Sequence, residues 1–221
     1  MMKANSKIRL FVPDDLSAAG NVTLSRDQSH YVTRVMRQGV GDMAVVFNGR
    51  DGEWLARIDN ASKSSCGLVL KEQIRAQGPE PDVWLVFAPI KKARLDFLVE
   101  KAVELGASRL VPVMTERTDV SRVNVGRLSA TAMESAEQCE RLSVPGMDQP
   151  VGLSKLLTDW SPNRRLYVLD ETGRGTPVAQ AFSAPPAAGP SRNSMPPEER
   201  LAGNSSAGIE CPLRSNPGPL G

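Results

Sequence analysis

The chain has 221 residues, 40% of them hydrophobic and 24% charged, which is enough to bury one large core or two small ones. Lys plus Arg number 27 against 25 Asp plus Glu, a net charge of +2, so any nucleic-acid footprint must come from local clustering of cations. A single histidine, His30, excludes HExxH zinc sites, and Cys66, Cys139 and Cys211 have no CxxC spacing, so no metal site is expected and a reducing compartment fits best.

The start, Met1 to Lys7, carries cations without a following apolar region, and no stretch approaches the roughly 18 apolar residues that spanning requires. The expectation is a cytoplasmic chain without a membrane segment. GxSxG, GxxxxGK[ST] and GxGxxG are all absent, which argues against hydrolase-elbow, P-loop and ordinary dinucleotide chemistry.

Residues 8 to 74 alternate short apolar runs with turns, predicting strands at Ile8 to Val12, Met43 to Phe47, Trp54 to Ile58 and Leu68 to Leu70. Asn48-Gly49-Arg50-Asp51-Gly52 supplies the residues that tolerate positive φ in a turn between two of them. Ser25 is placed to cap an intervening helix whose Tyr31, Val32, Val35 and Met36 share one side and which ends near Gly39. The pattern predicts a small β-barrel over residues 1–76.

Gln77-Gly78-Pro79-Glu80-Pro81 interrupts it, because each proline pushes its predecessor towards extended geometry. Val83 to Ala88 then reads as a strand buried on both faces of a parallel sheet. Leu95, Leu98, Val99, Ala102 and Val103 recur at helical spacing, Gly106 sits at a C-terminal cap, and Leu110 to Met114 completes a β-α-β unit. Asn124 caps a second helix carrying Leu128, Ala132, Ala136, Cys139 and Leu142 inward, with Pro145-Gly146 ending it, and Leu166 to Asp170 is the next buried strand. Residues 82–182 are therefore expected to form an α/β domain. Residues 183–221 hold eight of the 17 prolines and five glycines, with no aromatic residue or valine, and read as a disordered tail.

Four constellations carry candidate chemistry. Lys91, Lys92 and Arg94 lie at the carboxyl end of a strand, where open α/β sheets bind ligands; they suit phosphate contacts or a solvated charged turn. Thr115-Glu116-Arg117-Thr118 puts a carboxylate and a guanidinium at the next strand end, as a catalytic pair or as an ion pair fixing a loop. Glu134, Glu137, Gln138 and Arg141 make a polar helix face whose default role is surface pairing. On the barrel, Arg9, His30, Arg34 and Arg37 make a cationic patch suited to single-stranded RNA, with Tyr31 or Trp54 as stacking surfaces, although a lone histidine more often packs or hydrogen-bonds.

Taken in order, Arg9-Leu10-Phe11-Val12, His30 to Arg37, Phe47-Asn48-Gly49, Lys91 with Arg94-Leu95-Asp96, Glu100 to Gly106, Thr115 to Thr118 and Glu137 to Pro145 resemble RsmE-type 16S rRNA (uracil-N3) methyltransferases of the SPOUT superfamily, over residues 8 to 182. The resemblance implies a PUA-like RNA-binding barrel followed by a SPOUT α/β domain with a trefoil knot, S-adenosyl-L-methionine as cofactor and a homodimer. It also implies methyl transfer to N3 of a uridine in the small ribosomal subunit.

Within that reading Arg117 and Glu116 are the catalytic pair. Glu137, Gln138 and Arg141 shape the pocket, and Arg9, His30, Arg34, Arg37, Lys91 and Arg94 contact RNA. The family's two glycine- and proline-rich cofactor segments are represented only by Gly189-Pro190, so the knot is expected to be incomplete and the tail to arise from a reading-frame change. Two functions follow: the family's enzyme, or a noncatalytic RNA-binding remnant.

Overall fold

A computed structural model of the chain describes residues 8–62, 65–116, 118, 122–169 and 175–183. Five strands form the first sheet: β1 (Arg9–Phe11), β2 (Asn21–Thr23), β3 (Met43–Phe47), β4 (Glu53–Ala61) and β5 (Cys66–Arg75), in the order β1-β3-β4-β5-β2. β1 runs parallel to β3, with Leu10 opposite Val46, and the other pairings are antiparallel. Alternation puts Leu10, Val22, Val46, Ile58, Leu68 and Leu70 on one inward face.

The β3–β4 turn is built as its sequence demands. Asn48 Oδ1 accepts from the Arg50 and Asp51 N–H groups, and Gly49 and Gly52 have φ of +79° and +75°. A Cβ on Gly52 would lie 2.3 Å from the Arg75 carbonyl oxygen, so glycine is required there for space as well as conformation. The three-residue β2 has no counterpart in the sequence reading, because Asn21-Val22-Thr23 is too short to display an alternation.

Ser25 caps α1 (Arg26–His30) through a reciprocal capping box with Gln28. The helix then widens into a π turn, Tyr31–Val35, in which the Met36 N–H donates to Tyr31 O. An i→i+5 turn changes which residues share a face. Ser29 and Val32 are buried and Met36 packs on the core, whereas Tyr31 and Val35, read onto the same side as Val32 and Met36, are 40% and 59% exposed.

The second sheet has β6 (Trp84–Phe87) parallel to β7 (Arg109–Met114), which pairs in turn with the two-residue β8 (Gly146–Met147) and β9 (Val151–Gly152). Helices α2 (Lys92–Glu104) and α3 (Val125–Gln138) cover one face. Leu95, Val99 and Val103 meet Leu128, Ala132 and Ala136 above Phe87 and Leu110, and Phe47 of β3 joins the same cluster. Gly106, at φ +90°, follows the end of α2, and the Asn124 side chain accepts from the Arg127 N–H at the start of α3.

Three expectations need correction. Trp84, Leu85 and Val86 are only half-buried, because among the described residues β6 ends the strand order with β7 as its one neighbour. α3 stops at Gln138, with Glu140 at φ +59°, before Pro145-Gly146; Cys139 is exposed and Leu142 packs from the following loop. Leu166–Leu169 does not form a strand: Val168 and Leu169 are 79% and 84% exposed, and no strand among the described residues pairs with them.

Asp170 and residues 184–221 lie outside the described residues. The contacts divide the chain after Trp160. The first unit ends with α4 (Leu153–Thr158); the second contains α5 (Val178–Ser183), whose Phe182 ring meets Tyr167 edge-on at 4.6 Å.

Candidate functional site

On the first sheet domain the capping box and the π turn together present His30, Tyr31, Arg34 and Arg37 to solvent. Thr33 Oγ1 donates to Ser29 O, and the Gln38 N–H donates to Val32 O, which closes the segment with Arg37 at φ +54°. Arg34 and Arg37 have no hydrogen-bond or ion-pair partner among the described residues, so their charge is available to an anion. Trp54 is not an open stacking surface: its Nε1 donates to Asp51 O and its ring packs on the core. Tyr31 remains exposed beside the cations. Arg26, in the first turn of α1, is also exposed on this segment and was missed in the sequence.

The parallel register of β6 and β7, Phe87 opposite Pro112, sets their carboxyl ends side by side. From one end follow Lys91, Lys92 and Arg94, all exposed, with Lys91 at the N-cap of α2 and no side-chain cap. The other end leads to Thr115-Glu116. The Thr115 N–H donates to Thr118 Oγ1 and the two threonine hydroxyls lie 2.9 Å apart, which fixes a tight turn with Glu116 exposed on it. Arg117, Gly189 and Pro190 lie outside the described residues.

The remaining sequence candidates gather at the carboxyl end of α3. Arg9 does not join the exposed basic face. Its side chain, 13% exposed, donates from Nε to Glu53 at 2.6 Å and from its Nη atoms to the carbonyls of Ala136, Glu137 and Arg141, while its guanidinium lies over the Phe47 ring at 3.8 Å. Arg75 reaches the same Glu53 at 3.3 Å and donates to Glu140 O.

Arg141 donates to Val103 O in the last turn of α2, to Ala107 O just beyond that helix, and to Glu80 of the proline-rich segment at 2.7 Å. Glu137 accepts from the Phe11 N–H at 2.9 Å. Burial pushes the Glu137 carboxyl above its usual range, against the Phe11 hydrogen bond and the Arg9 charge, and Glu134 adds to the rise. Glu80 moves the other way: burial opposes ionisation there, but hydrogen bonds from Ser143 and Arg141 outweigh it and hold the carboxyl below its usual range.

Thus Glu137 and Arg141 join structural elements. Gln138 instead lines a cleft of about 300 Å³ between α2 and α3, with Glu100, Glu104, Thr131, Glu134, Ser135 and Cys139. Glu53, Arg75 and Glu80 were not legible as members of this junction, since their partners lie 22 to 65 positions away.

Comparison with known proteins places these parts. Residues 78–190 match an RNA methyltransferase domain family and residues 24–71 an RNA methyltransferase PUA domain. Relatives carrying the name ribosomal RNA small subunit methyltransferase E include one from Rickettsia conorii, 31% identical over 67% of this chain and 62% of its own, and one from Synechocystis, 28% identical over 79% and 58%. The chain thus spans about 60% of the length of these relatives.

Among solved structures, the Neisseria gonorrhoeae ribosomal RNA small subunit methyltransferase E bound to S-adenosyl methionine superposes with a TM-score of 0.63 at 23% identity, covering 70% of this chain and 66% of that one. A Legionella pneumophila protein solved with bound SAM gives 0.66 at 24%, covering 72% and 69%. The chain shares the fold of these structures, with the PUA-domain match on the first sheet and the RNA methyltransferase match beginning ahead of β6. With half of its length matching the family domain, the chain belongs to the RNA methyltransferase domain family.

Proposed function

We propose that this chain methylates N3 of a uridine in 16S rRNA of the small ribosomal subunit, with S-adenosylmethionine as methyl donor, and that it works as a homodimer. The observation that carries the reading is the succession of PUA and methyltransferase matches on one chain, beside relatives named for small-subunit ribosomal RNA. A division into an RNA-binding barrel over 1–76 and a methyltransferase part over 82–182 goes with it. Exposed His30, Arg34 and Arg37, with Lys91 and Arg94 at the strand ends, meet phosphates, and Tyr31 offers a stacking surface.

The described residues do not by themselves form a cradle that fits the cofactor. The cleft beside Gln138 is walled by three glutamates and lies between helices, and Gly189-Pro190 falls outside the described residues. The chemistry assigned to the chain's own groups therefore concerns the uridine. Its N3 carries a proton, and the lone pair becomes nucleophilic as that proton leaves and negative charge builds on O2 and O4. Glu116, exposed at the end of β7, takes the proton directly or through water, and the neighbouring Arg117 stabilises the oxygens.

A second reading, a noncatalytic RNA-binding protein, is favoured by one observation: the apolar Leu166–Leu169 segment is exposed instead of extending a sheet. Calorimetric titration separates the two. Heat on adding S-adenosylmethionine supports the enzyme; none, with salt-dependent RNA binding retained, supports the second reading. Unchanged single-turnover methylation in Arg117→Ala would remove that residue from the mechanism.

A further inference from the structure

The junction at the carboxyl end of α3 has a geometry that neither packing nor methyl transfer requires. A helix ends with carbonyl groups lacking intrahelical partners and with the negative end of its dipole. Here two carbonyls of the last turn of α3, Ala136 and Glu137, and two of the loop just beyond it, Glu140 and Arg141, are met by arginines of the first sheet. Arg9 of β1 takes Ala136, Glu137 and Arg141, and Arg75 at the end of β5 takes Glu140. Both guanidiniums are held by one carboxylate, Glu53 at the start of β4, whose side chain is 11% exposed. On the helix side, Glu137 accepts from the Phe11 N–H, two positions from Arg9.

A planar guanidinium with five donors can satisfy a carboxylate and several carbonyls together, and an ammonium cannot. The bonds cross between a strand and a helix about 130 positions apart in sequence, at 126 to 132. They therefore tie the first sheet to α3 alongside the apolar contact that Phe11 and Phe47 make with the same cluster.

We propose that Arg9, held by Glu53 and seconded by Arg75, is a positioning residue that locks the PUA-like domain to α3, so that the Arg34–Arg37 face and the Lys91–Arg94 strand end bind one RNA as a bivalent surface. The proposal rests on the RNA-binding reading above. Two sites on a fixed frame bind a ligand that reaches both far more tightly than either site alone, and a loosened frame loses that gain without altering either site.

The test is fluorescence anisotropy with the full chain and two single-stranded RNAs, one of roughly six nucleotides and one of about thirty, chosen to lie below and above the reach of a single nucleic-acid-binding module. Wild type is expected to bind the long RNA at least tenfold more tightly, and Arg9→Ala to lose most of that gain while its affinity for the short RNA and the salt dependence of that affinity stay unchanged. Arg9→Lys, which keeps the charge but not the fork, is expected to behave like Arg9→Ala.

Arg75→Ala, at a half-exposed position, is expected to lose about threefold on the long RNA and keeps the test valid where Arg9→Ala fails to fold. Full rescue by Arg9→Lys, equal losses on both RNAs, or long-RNA binding unchanged in Arg9→Ala and Arg75→Ala would each overturn the proposal. Failure of wild type to bind either RNA would instead overturn the RNA-binding reading on which it rests.

Discussion

The arginines at the end of α3 and those on the π turn look alike in sequence but do opposite work. Arg9 and Arg141 have side chains 13% and 10% exposed, surrounded by carbonyls and a carboxylate. Arg34 and Arg37 stand in solvent without partners among the described residues. A buried guanidinium must be satisfied by the protein, and removing it leaves its partners unpaired at a cost of several kcal/mol; an exposed one is already solvated and costs the fold almost nothing. The difference teaches that an arginine's role follows from the acceptors its fold assembles around it.

That contrast breaks most readily at Arg9. Arg9→Ala is expected to lower stability by about 3 kcal/mol, because Glu53 stays buried with one cation fewer; urea unfolding with an unchanged m value would measure it. Arg141→Ala should cost about 2 kcal/mol in the same experiment, since Val103 O, Ala107 O and Glu80 lose a charged donor together. The double variant Arg34→Ala/Arg37→Ala should stay within about 0.5 kcal/mol of wild type, yet flatten the dependence of log K on log salt by about 0.7 for each phosphate that is no longer neutralised. A destabilisation there comparable to Arg9→Ala would erase the distinction.

The smallest effects are pH-dependent, and the two carboxylates at this junction give opposite signs. A carboxyl raised in the folded state binds its proton more tightly there than when unfolded, so the Glu137 contribution weakens as pH rises above about 4.5. Glu80 is lowered, so its contribution is present above about 4.5 and is lost as pH falls through its folded value. Glu137→Gln, which keeps an acceptor for the Phe11 N–H, should flatten the stability profile above that pH, and Glu80→Gln below it. Thermal melts across pH 3 to 8 would show both slopes, on the order of a few tenths of a kcal/mol.

Local chemistry was legible in the sequence wherever a residue's nearest neighbours decide its conformation. Ser25 with Gln28, the Asn48–Gly52 turn, Gly106 and Asn124 all act within a few positions, and each does what its residue type suggests. Legibility ended where distant partners decide. The capping box marks the start of α1 but not the π turn that rotates Tyr31 and Val35 outward. Val83 to Ala88 and Leu166 to Leu169 are similar apolar runs, yet only the first contributes a strand, β6, which pairs with β7 beneath α2 and α3.

At the candidate site the same limit appears. The exposed cations Arg34, Arg37, Lys91, Lys92 and Arg94 were legible from their local clustering, whereas the duties of Arg9, Glu137 and Arg141 became visible only with Glu53, Phe11, Val103 and Ala107 beside them.

The most direct trial of the functional account is to incubate the full chain with methyl-labelled S-adenosylmethionine and unmodified small-subunit rRNA, then digest the RNA and analyse its nucleosides by mass spectrometry. The account predicts labelled 3-methyluridine as the product. Saturating RNA binding with no label on any uridine would contradict it.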